Sequence, residues 1–70
     1  MIPLSMAKAS ETITIRRITG KDEIRRHLAE LNFVVDTDVT VVHEIAGNLI
    51  LQVKDSQVAL DLGLANRMFV

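Results

Sequence analysis

A single segment of the chain, residues 20–33, has the periodicity of a helix, and most of the remaining sequence alternates like short strands. Ile24, Leu28 and Leu31 recur at i, i+4 and i+7 in this segment, so they share one face of a helix of about three turns. The pattern predicts a mainly β fold with one α-helix placed after the first strand.

Both ends of the predicted helix have recognisable signals. Thr19 is the expected N-cap, with Asp22 three residues later as its capping partner, and the acidic first turn suits the positive end of the helix dipole. Asn32 is of a residue type that tolerates the left-handed conformation. Placed at C′, it brings Phe33 onto Leu28, which is the hydrophobic contact of a Schellman motif.

About five short strands are predicted around this helix. The first covers residues 11–18 and has a bulge or an end at Arg16 and Arg17, where the apolar alternation changes phase. The others are residues 39–44, 49–53, 57–61 and 67–70, with tight turns at 46–48 and 54–56 and one helical turn at 63–66. Seventy residues cannot cover both faces of an open sheet, so we expect the strands to curl into a small barrel that hides its edges.

The chain has more apolar side chains than so small a barrel can bury, since 49% of its residues are hydrophobic. Alternation places Val39, Val41 and His43 on one face of their strand and leaves apolar residues on the opposite strand face as well. The surplus consists of Val42 and Ile50 on that opposite face, Val34 and Val35 after the helix, and Leu62 and Leu64 around a glycine. These residues either cap the open ends of the barrel or form an exposed patch that marks a partner surface.

The charge balance argues against a nucleic-acid partner. The chain has 8 Lys and Arg against 9 Asp and Glu, and its pI is about 6.0, whereas a nucleic-acid-binding domain of this size is usually basic. Phe33 and Phe69 are its only aromatic residues, which leaves little surface on which bases can stack.

No targeting or membrane-spanning segment is recognisable in the sequence. Its start lacks the basic region and long apolar stretch of a secretory signal, and no stretch approaches the roughly 20 apolar residues of a membrane span. The chain has no cysteine, so neither a disulfide nor a thiolate zinc site contributes stability. We expect a cytoplasmic domain without direct membrane insertion.

Little in the sequence suggests catalysis. His27 and His43 lie on different elements without an evident Ser or Cys partner, and the glycines are isolated rather than gathered in a phosphate-binding loop. We predict no enzyme activity, no cofactor and no metal site, with both histidines at the surface. The alternative is a His pair, brought together by folding, that binds Fe(II) or Zn(II) with Glu30 or Glu44.

The pair Arg25 and Arg26 in the middle of the helix is a candidate docking element. Successive helical residues are about 100° apart, so Arg25 lies beside the apolar stripe and Arg26 lies further round. Arg26 is predicted to pair with Glu30 at i, i+4. Either the two arginines belong to a solvated helix face, or they form part of a local basic patch that docks a partner.

Motifs along nearly the whole chain form one pattern: Pro3-Leu4-Ser5-Met6-Ala7, Gly20, Arg25-Arg26-x-Leu28-x-x-Leu31-Asn32-Phe33, Val39-x-Val41, Asn48-Leu49-Ile50-x-x-Val53, Ala59-Leu60 and Ala65-x-x-x-Phe69-Val70. This pattern resembles the ferrous iron transport protein A (FeoA) family, whose domain type also occurs at the C-terminus of iron-dependent repressors. The chain departs from the family where glycines are usual, at Asn32 and Asp36, and where a proline is usual, at Val35. Asn and Asp tolerate left-handed geometry best after glycine, so the backbone can be the same.

The resemblance implies a single SH3-like barrel over residues 1–70 that docks on the cytosolic part of a FeoB-type membrane GTPase transporter. On the matched helix and its stop, the residues carried over from the family are Arg25, Arg26, Leu28, Leu31 and Phe33. We predict a partner contact at Arg25, Arg26 and Leu28, together with Val34 and Val35 in the apolar loop that follows. The alternative is a metal-responsive regulatory domain that binds Fe(II), Mn(II) or a peptide partner. That reading predicts a melting temperature that rises with either metal. Self-association into a homo-oligomer also stays open.

Overall fold

The computed structural model describes all 70 residues and confirms a mainly β fold. It contains six strands, two α-helices and one 3₁₀ turn. In chain order these are the 3₁₀ turn Leu4–Met6, β1 Thr12–Thr14, β2 Arg17–Ile18, α1 Asp22–Glu30, β3 Asp38–Ile45, β4 Asn48–Val53, β5 Ser56–Asp61, α2 Leu62–Ala65 and β6 Met68–Phe69. The count exceeds the predicted five because the first predicted strand is divided into β1 and β2.

The strands form two antiparallel sheets. Four strands pair in the order β1-β3-β4-β5, and β2 pairs with β6. Pro3 forms a bridge with Phe69, and the backbones of Ile2 and Val70 exchange hydrogen bonds of 3.1 and 2.9 Å. The N-terminal segment therefore extends the small sheet beside β6.

The chain passes from one sheet to the other at Ile15 and Arg16. The backbone N–H of Ile15 donates to Thr37 O at 2.9 Å, at the entrance to β3, and the N–H of Arg16 donates to Phe69 O at 2.7 Å in β6. The Ile15 side chain is fully buried at this crossing. The strand end predicted at Arg16 and Arg17 is thus confirmed, and it closes the barrel.

A β-bulge in β3 changes which residues face the core. The pairing with β4 shifts between Val41 and His43, which leaves Val42 as the extra residue. Val39 and Val41 are buried as predicted, but His43 is exposed. The predicted common face of these three residues is therefore wrong for His43, because an extra residue reverses the alternation beyond it.

One hydrophobic cluster of 12 buried residues fills the barrel. Its members come from the 3₁₀ turn, both helices, strands β3 to β6 and two connecting segments: Leu4, Ile15, Leu28, Phe33, Val39, Val41, Leu49, Leu51, Val53, Leu60, Ala65 and Met68. Of the predicted helical stripe, Leu28 is fully buried, and Ile24 and Leu31 are half-buried against the cluster. The helix therefore seats on the barrel through the predicted face.

The start of α1 differs from the prediction. Lys21 occupies the N-cap position and makes no side-chain capping bond. Thr19 instead binds the residue before β6, since its N–H donates to Arg67 O at 2.7 Å and its hydroxyl donates to the same oxygen at 3.3 Å. Gly20, at φ 119, separates Thr19 from the helix in a conformation that side-chain-bearing residues rarely adopt. The predicted capping box of Thr19 and Asp22 is therefore wrong.

The end of α1 is the predicted Schellman motif. Asn32 lies at C′ with φ 74 and donates its N–H to Ala29 O at 2.9 Å. Phe33 at C″ donates its N–H to Leu28 O, also at 2.9 Å. Both Phe33 and Leu28 are fully buried, so this stop fixes the helix on the core.

The short helix α2 has a side-chain cap that yields a test of local stability. Asp61, its N-cap, accepts a 2.8 Å hydrogen bond from the N–H of Leu64. We expect Asp61→Ala to lower the free energy of unfolding by about 1 kcal/mol, because an N–H of the first turn loses its acceptor. Urea unfolding measures the change. The control Asp61→Asn keeps an acceptor, and an equal loss in both variants would contradict the capping role.

Candidate docking surface

Arg25 is held by the helix on which it lies. Its guanidinium donates to Asp22 Oδ1 at 2.6 Å, an i, i+3 ion pair on the outside of α1. The two side chains remain 53% and 79% exposed, so the pair contributes little to stability. Its consequence is geometric, because the guanidinium of Arg25 is directed back towards the first turn.

Arg26 is exposed and has no carboxylate partner within ion-pair distance. The predicted pair with Glu30 is therefore absent. An arginine that precedes the glutamate by four residues is the less favourable of the two orientations on a helix. Both side chains also remain solvated, so little free energy holds them together. Arg26 is consequently available to an acidic group of a partner.

Leu28 is not available to a partner. It has no exposed surface and belongs to the central cluster. Its predicted place on the partner contact is corrected on this ground, because a fully enclosed side chain supports a docking surface only through the fold. The match of Leu28 to the family pattern reflects packing.

Val34 and Val35 are exposed on a closed turn directly after the helix stop. Their exposed fractions are 42% and 49%. Thr37 donates its N–H to Val34 O at 3.2 Å, and Asp36 between them has φ 74, the mark of a type II turn. Asp36 also donates its N–H to Ile15 O at 2.8 Å. The two valines are therefore displayed by a backbone fastened at both ends to the barrel.

Arg26, Val34 and Val35 constitute what we call the helix-end surface. About 7 Å of helix axis separates Arg26 from the helix C-cap at Leu31. The valines follow within four residues of that cap. These residues thus offer one unpaired cation on the helix and two adjacent apolar side chains beyond its end, while Arg25 is already paired with Asp22.

The other predicted apolar residues are less exposed than the two valines. Leu62 and Leu64 are half-buried and pack against the core, so they cap the barrel. Val42 and Ile50 are half-buried on their strand face. The prediction missed the large exposed residues of the N-terminal segment and of the end of β3, which are Met1, Ile2, Met6 and Ile45.

The two histidines are exposed, as predicted, on α1 and β3. No group of three or more His, Cys, Asp or Glu side chains is gathered where it could hold a metal ion. The longest helix has nine residues, and neither helix has the length and hydropathy that a membrane span requires.

The fold defines a class of protein, the small SH3-like domain. Comparison with known families is more specific: the FeoA domain matches residues 2–70. The chain therefore belongs to the FeoA family, as its sequence motifs indicated.

Two solved structures of this family share the fold over nearly the whole chain. An iron uptake regulatory protein (FeoA) is 25% identical with a TM-score of 0.87, and the match covers 96% of this chain and 89% of that one. The zinc complex of FeoA from Stenotrophomonas maltophilia, described as a prokaryotic SH3 domain protein, is also 25% identical, with a TM-score of 0.83 and coverage of 99% and 88%.

A larger protein contains the same fold as one part. A manganese-dependent transcriptional repressor is 22% identical with a TM-score of 0.83, and the match covers 94% of this chain but only 38% of the repressor. This likeness shows the fold alone. A search among curated proteins finds no match.

Proposed function

We propose that this protein is a cytoplasmic accessory protein of ferrous iron transport, which docks on the cytosolic part of a FeoB-type GTPase transporter through the helix-end surface. The proposal rests on membership of the FeoA family. The observation that supports this particular surface is the fastened turn, which holds Val34 and Val35 exposed directly after the buried helix stop at Phe33.

The turn is suited to binding because its geometry is already fixed before a partner arrives. Hydrogen bonds from Asp36 to Ile15 and from Thr37 to Val34 set the direction of both valines. Little conformational entropy is then lost when they are buried, which favours affinity. Burial of side chains of this size contributes about 1.5–3 kcal/mol each when complete.

Arg26 gives the surface its selectivity. Its charge is free of intramolecular partners, so an acidic group on the transporter satisfies it without breaking an existing pair. Arg25 would first have to leave Asp22, to which it is bonded at 2.6 Å. Complementary charge at the edge of an apolar contact mainly increases the association rate and the discrimination between partners.

Capture on the immobilised cytosolic domain of the FeoB-type transporter from the same genome tests the proposal, with and without guanine nucleotide. We expect retention of the wild-type chain and about tenfold weaker binding of Arg26→Glu and of Val35→Ser. Matched controls are Lys8→Glu, which makes the same charge reversal in the N-terminal segment, and Ile45→Ser, which removes an exposed apolar side chain from the far end of β3.

Each variant is compared at an unchanged melting temperature, since all four positions are exposed. Absence of retention in every nucleotide state would refute docking on this transporter. Retention that falls equally in the variants and their controls would leave the transporter as partner but remove the helix-end surface as its contact.

A further inference from the structure

The small sheet β2–β6 and the N-terminal segment that extends it contain positively charged side chains and no negatively charged ones. The segments concerned are residues 1–7, 15–21 and 66–70. Their charged residues are Arg16, Arg17, Lys21 and Arg67, and none of the three segments contains Asp or Glu. The remainder of the chain has four positive and nine negative charges. A protein with a net charge of −1 therefore has one strongly basic region.

The charges of this region are free to act on a ligand. Arg16, Arg17, Lys21 and Arg67 are all exposed, and none is within ion-pair distance of a carboxylate. Backbone pairing brings two of them together, since Arg17 is opposite Phe69 in the sheet and Thr19, which follows β2, bonds to Arg67. Arg16 precedes Arg17 in the chain, and Lys21 follows two residues after Thr19. We call these four cations together with Met1 and Ile2 the basic sheet surface.

Apolar side chains protrude from the same surface. Met1 is 74% exposed and Ile2 is 45% exposed, although Ile2 is tied to Val70 by two backbone hydrogen bonds. Met1, Arg17, Thr19 and Phe69 line an open groove of about 360 Å³. An arginine thus lies in a groove whose other walls are partly apolar.

We infer that the basic sheet surface rests on an anionic phospholipid membrane, with Arg17 and its neighbours at the headgroup phosphates and Met1 and Ile2 in the interfacial layer. Unpaired cations beside protruding apolar side chains, without acidic residues, are the pattern of interfacial attachment. Each cation near an anionic bilayer strengthens binding by about fivefold. Four such cations and two short apolar contacts give a weak, reversible attachment.

Two other polyanion partners fit less well. Duplex DNA is bound mainly through phosphates and gains nothing from exposed Met1 and Ile2, and single strands need aromatic stacking surface, of which this region offers only Phe69. An acidic protein surface would match the four cations but does not account for apolar side chains that project from the domain. An anionic lipid surface accounts for both the four cations and the exposed apolar side chains.

Co-sedimentation with vesicles of phosphatidylcholine, with and without phosphatidylglycerol, tests this inference on the full chain. We expect binding only to the anionic vesicles, falling steeply between about 0.1 and 0.5 M salt because the charges are screened. No transporter is present in the vesicles, so the outcome is independent of the docking proposed above. Equal binding to both vesicle types, or none to either, would overturn the inference.

Substitutions locate the effect on the surface. We expect Arg17→Glu to weaken binding to anionic vesicles at least tenfold, and Arg67→Glu to do likewise as an independent second variant. Ile2→Ser should weaken binding by a smaller factor at all salt concentrations. Lys54→Glu changes the net charge equally on the β4–β5 turn, outside the basic sheet surface, and should leave binding within about twofold of the wild type. If Lys54→Glu matches Arg17→Glu, or if a DNA duplex binds more tightly than the anionic vesicles, the surface assignment is wrong.

Discussion

Replacement of Leu28 by alanine is expected to lower the free energy of unfolding by about 2–5 kcal/mol, the cost of removing a large aliphatic side chain from a packed core. Leu28 is fully buried, and its carbonyl also accepts the hydrogen bond that ends α1. A 70-residue domain has a total stability of about 4–10 kcal/mol. The variant should therefore be partly unfolded near 37 °C, as thermal and urea unfolding will show.

Comparison of Leu28→Ala with Leu28→Met separates a packing role of this residue from a docking role. Leu28→Met conserves volume and apolar character, so we expect it to cost less than about 1.5 kcal/mol and to bind the transporter domain as the wild type does. Leu28→Ala should lose binding only to the extent that it loses structure. Weaker binding with an unchanged melting temperature would contradict the burial of Leu28 and return it to the partner contact.

Local patterns predicted the elements whose residues lie close together in sequence. The helix stop at Asn32 and Phe33 was predictable because the left-handed residue, the two backbone bonds and the apolar contact fall within six residues. The hairpin between β3 and β4 was predictable for the same reason, since its turn at Ala46 and Gly47 is only two residues long.

The features that depend on distant residues were not predictable from local patterns. Leu4 is fully buried, but nothing around it in sequence shows that the segment pairs with β6, more than 60 residues away. Thr19 is of a residue type that commonly caps helices, but it bonds instead to Arg67, which is far away in the sequence. The bulge at Val42 is likewise invisible in a sequence where both strand faces are apolar.

For the candidate site, the sequence predicted the exposure of Arg26, Val34 and Val35 better than it predicted the ion pairs of the two arginines. Val34 and Val35 are exposed because the chain must reverse directly after the helix stop, and Arg26 is exposed because it lies opposite the apolar stripe. The partner of each arginine was not predictable, because exposed ion pairs differ by only a few tenths of a kcal/mol. The basic region around Arg17 and Arg67 required the sheet pairing to become visible.

Two residues with left-handed backbone conformations provide the largest expected gain in stability. Asp36 has φ 74 at the third position of its turn, and Ala46 has φ 51 in a two-residue hairpin whose other residue, Gly47, has φ 78. Positive φ at both positions defines a type I′ turn, for which Asn-Gly is the preferred pair. Alanine has neither the freedom of glycine nor the local hydrogen bonds of asparagine in this conformation, which costs about 1–2 kcal/mol.

We expect Asp36→Gly and Ala46→Asn together to raise the free energy of unfolding by about 1–3 kcal/mol, which corresponds to a rise of roughly 5–15 °C in melting temperature. The two effects should add, because the sites lie beyond opposite ends of β3, about 25 Å of strand apart. Differential scanning calorimetry of the single and double variants measures both the gain and its additivity.

The chain offers the same chemical changes at positions where the backbone does not require them. Asp38→Gly lies in β3 without a positive φ and removes the acceptor of a 2.6 Å bond from the Thr14 hydroxyl, so it should destabilise by about 1 kcal/mol or more. Ala59→Asn on the exposed face of β5 should bring no gain. If backbone conformation is the cause, Asp→Gly has to raise the free energy of unfolding at position 36 and lower it at position 38. A destabilised Asp36→Gly would show instead that the carboxylate of Asp36 contributes more than its backbone costs.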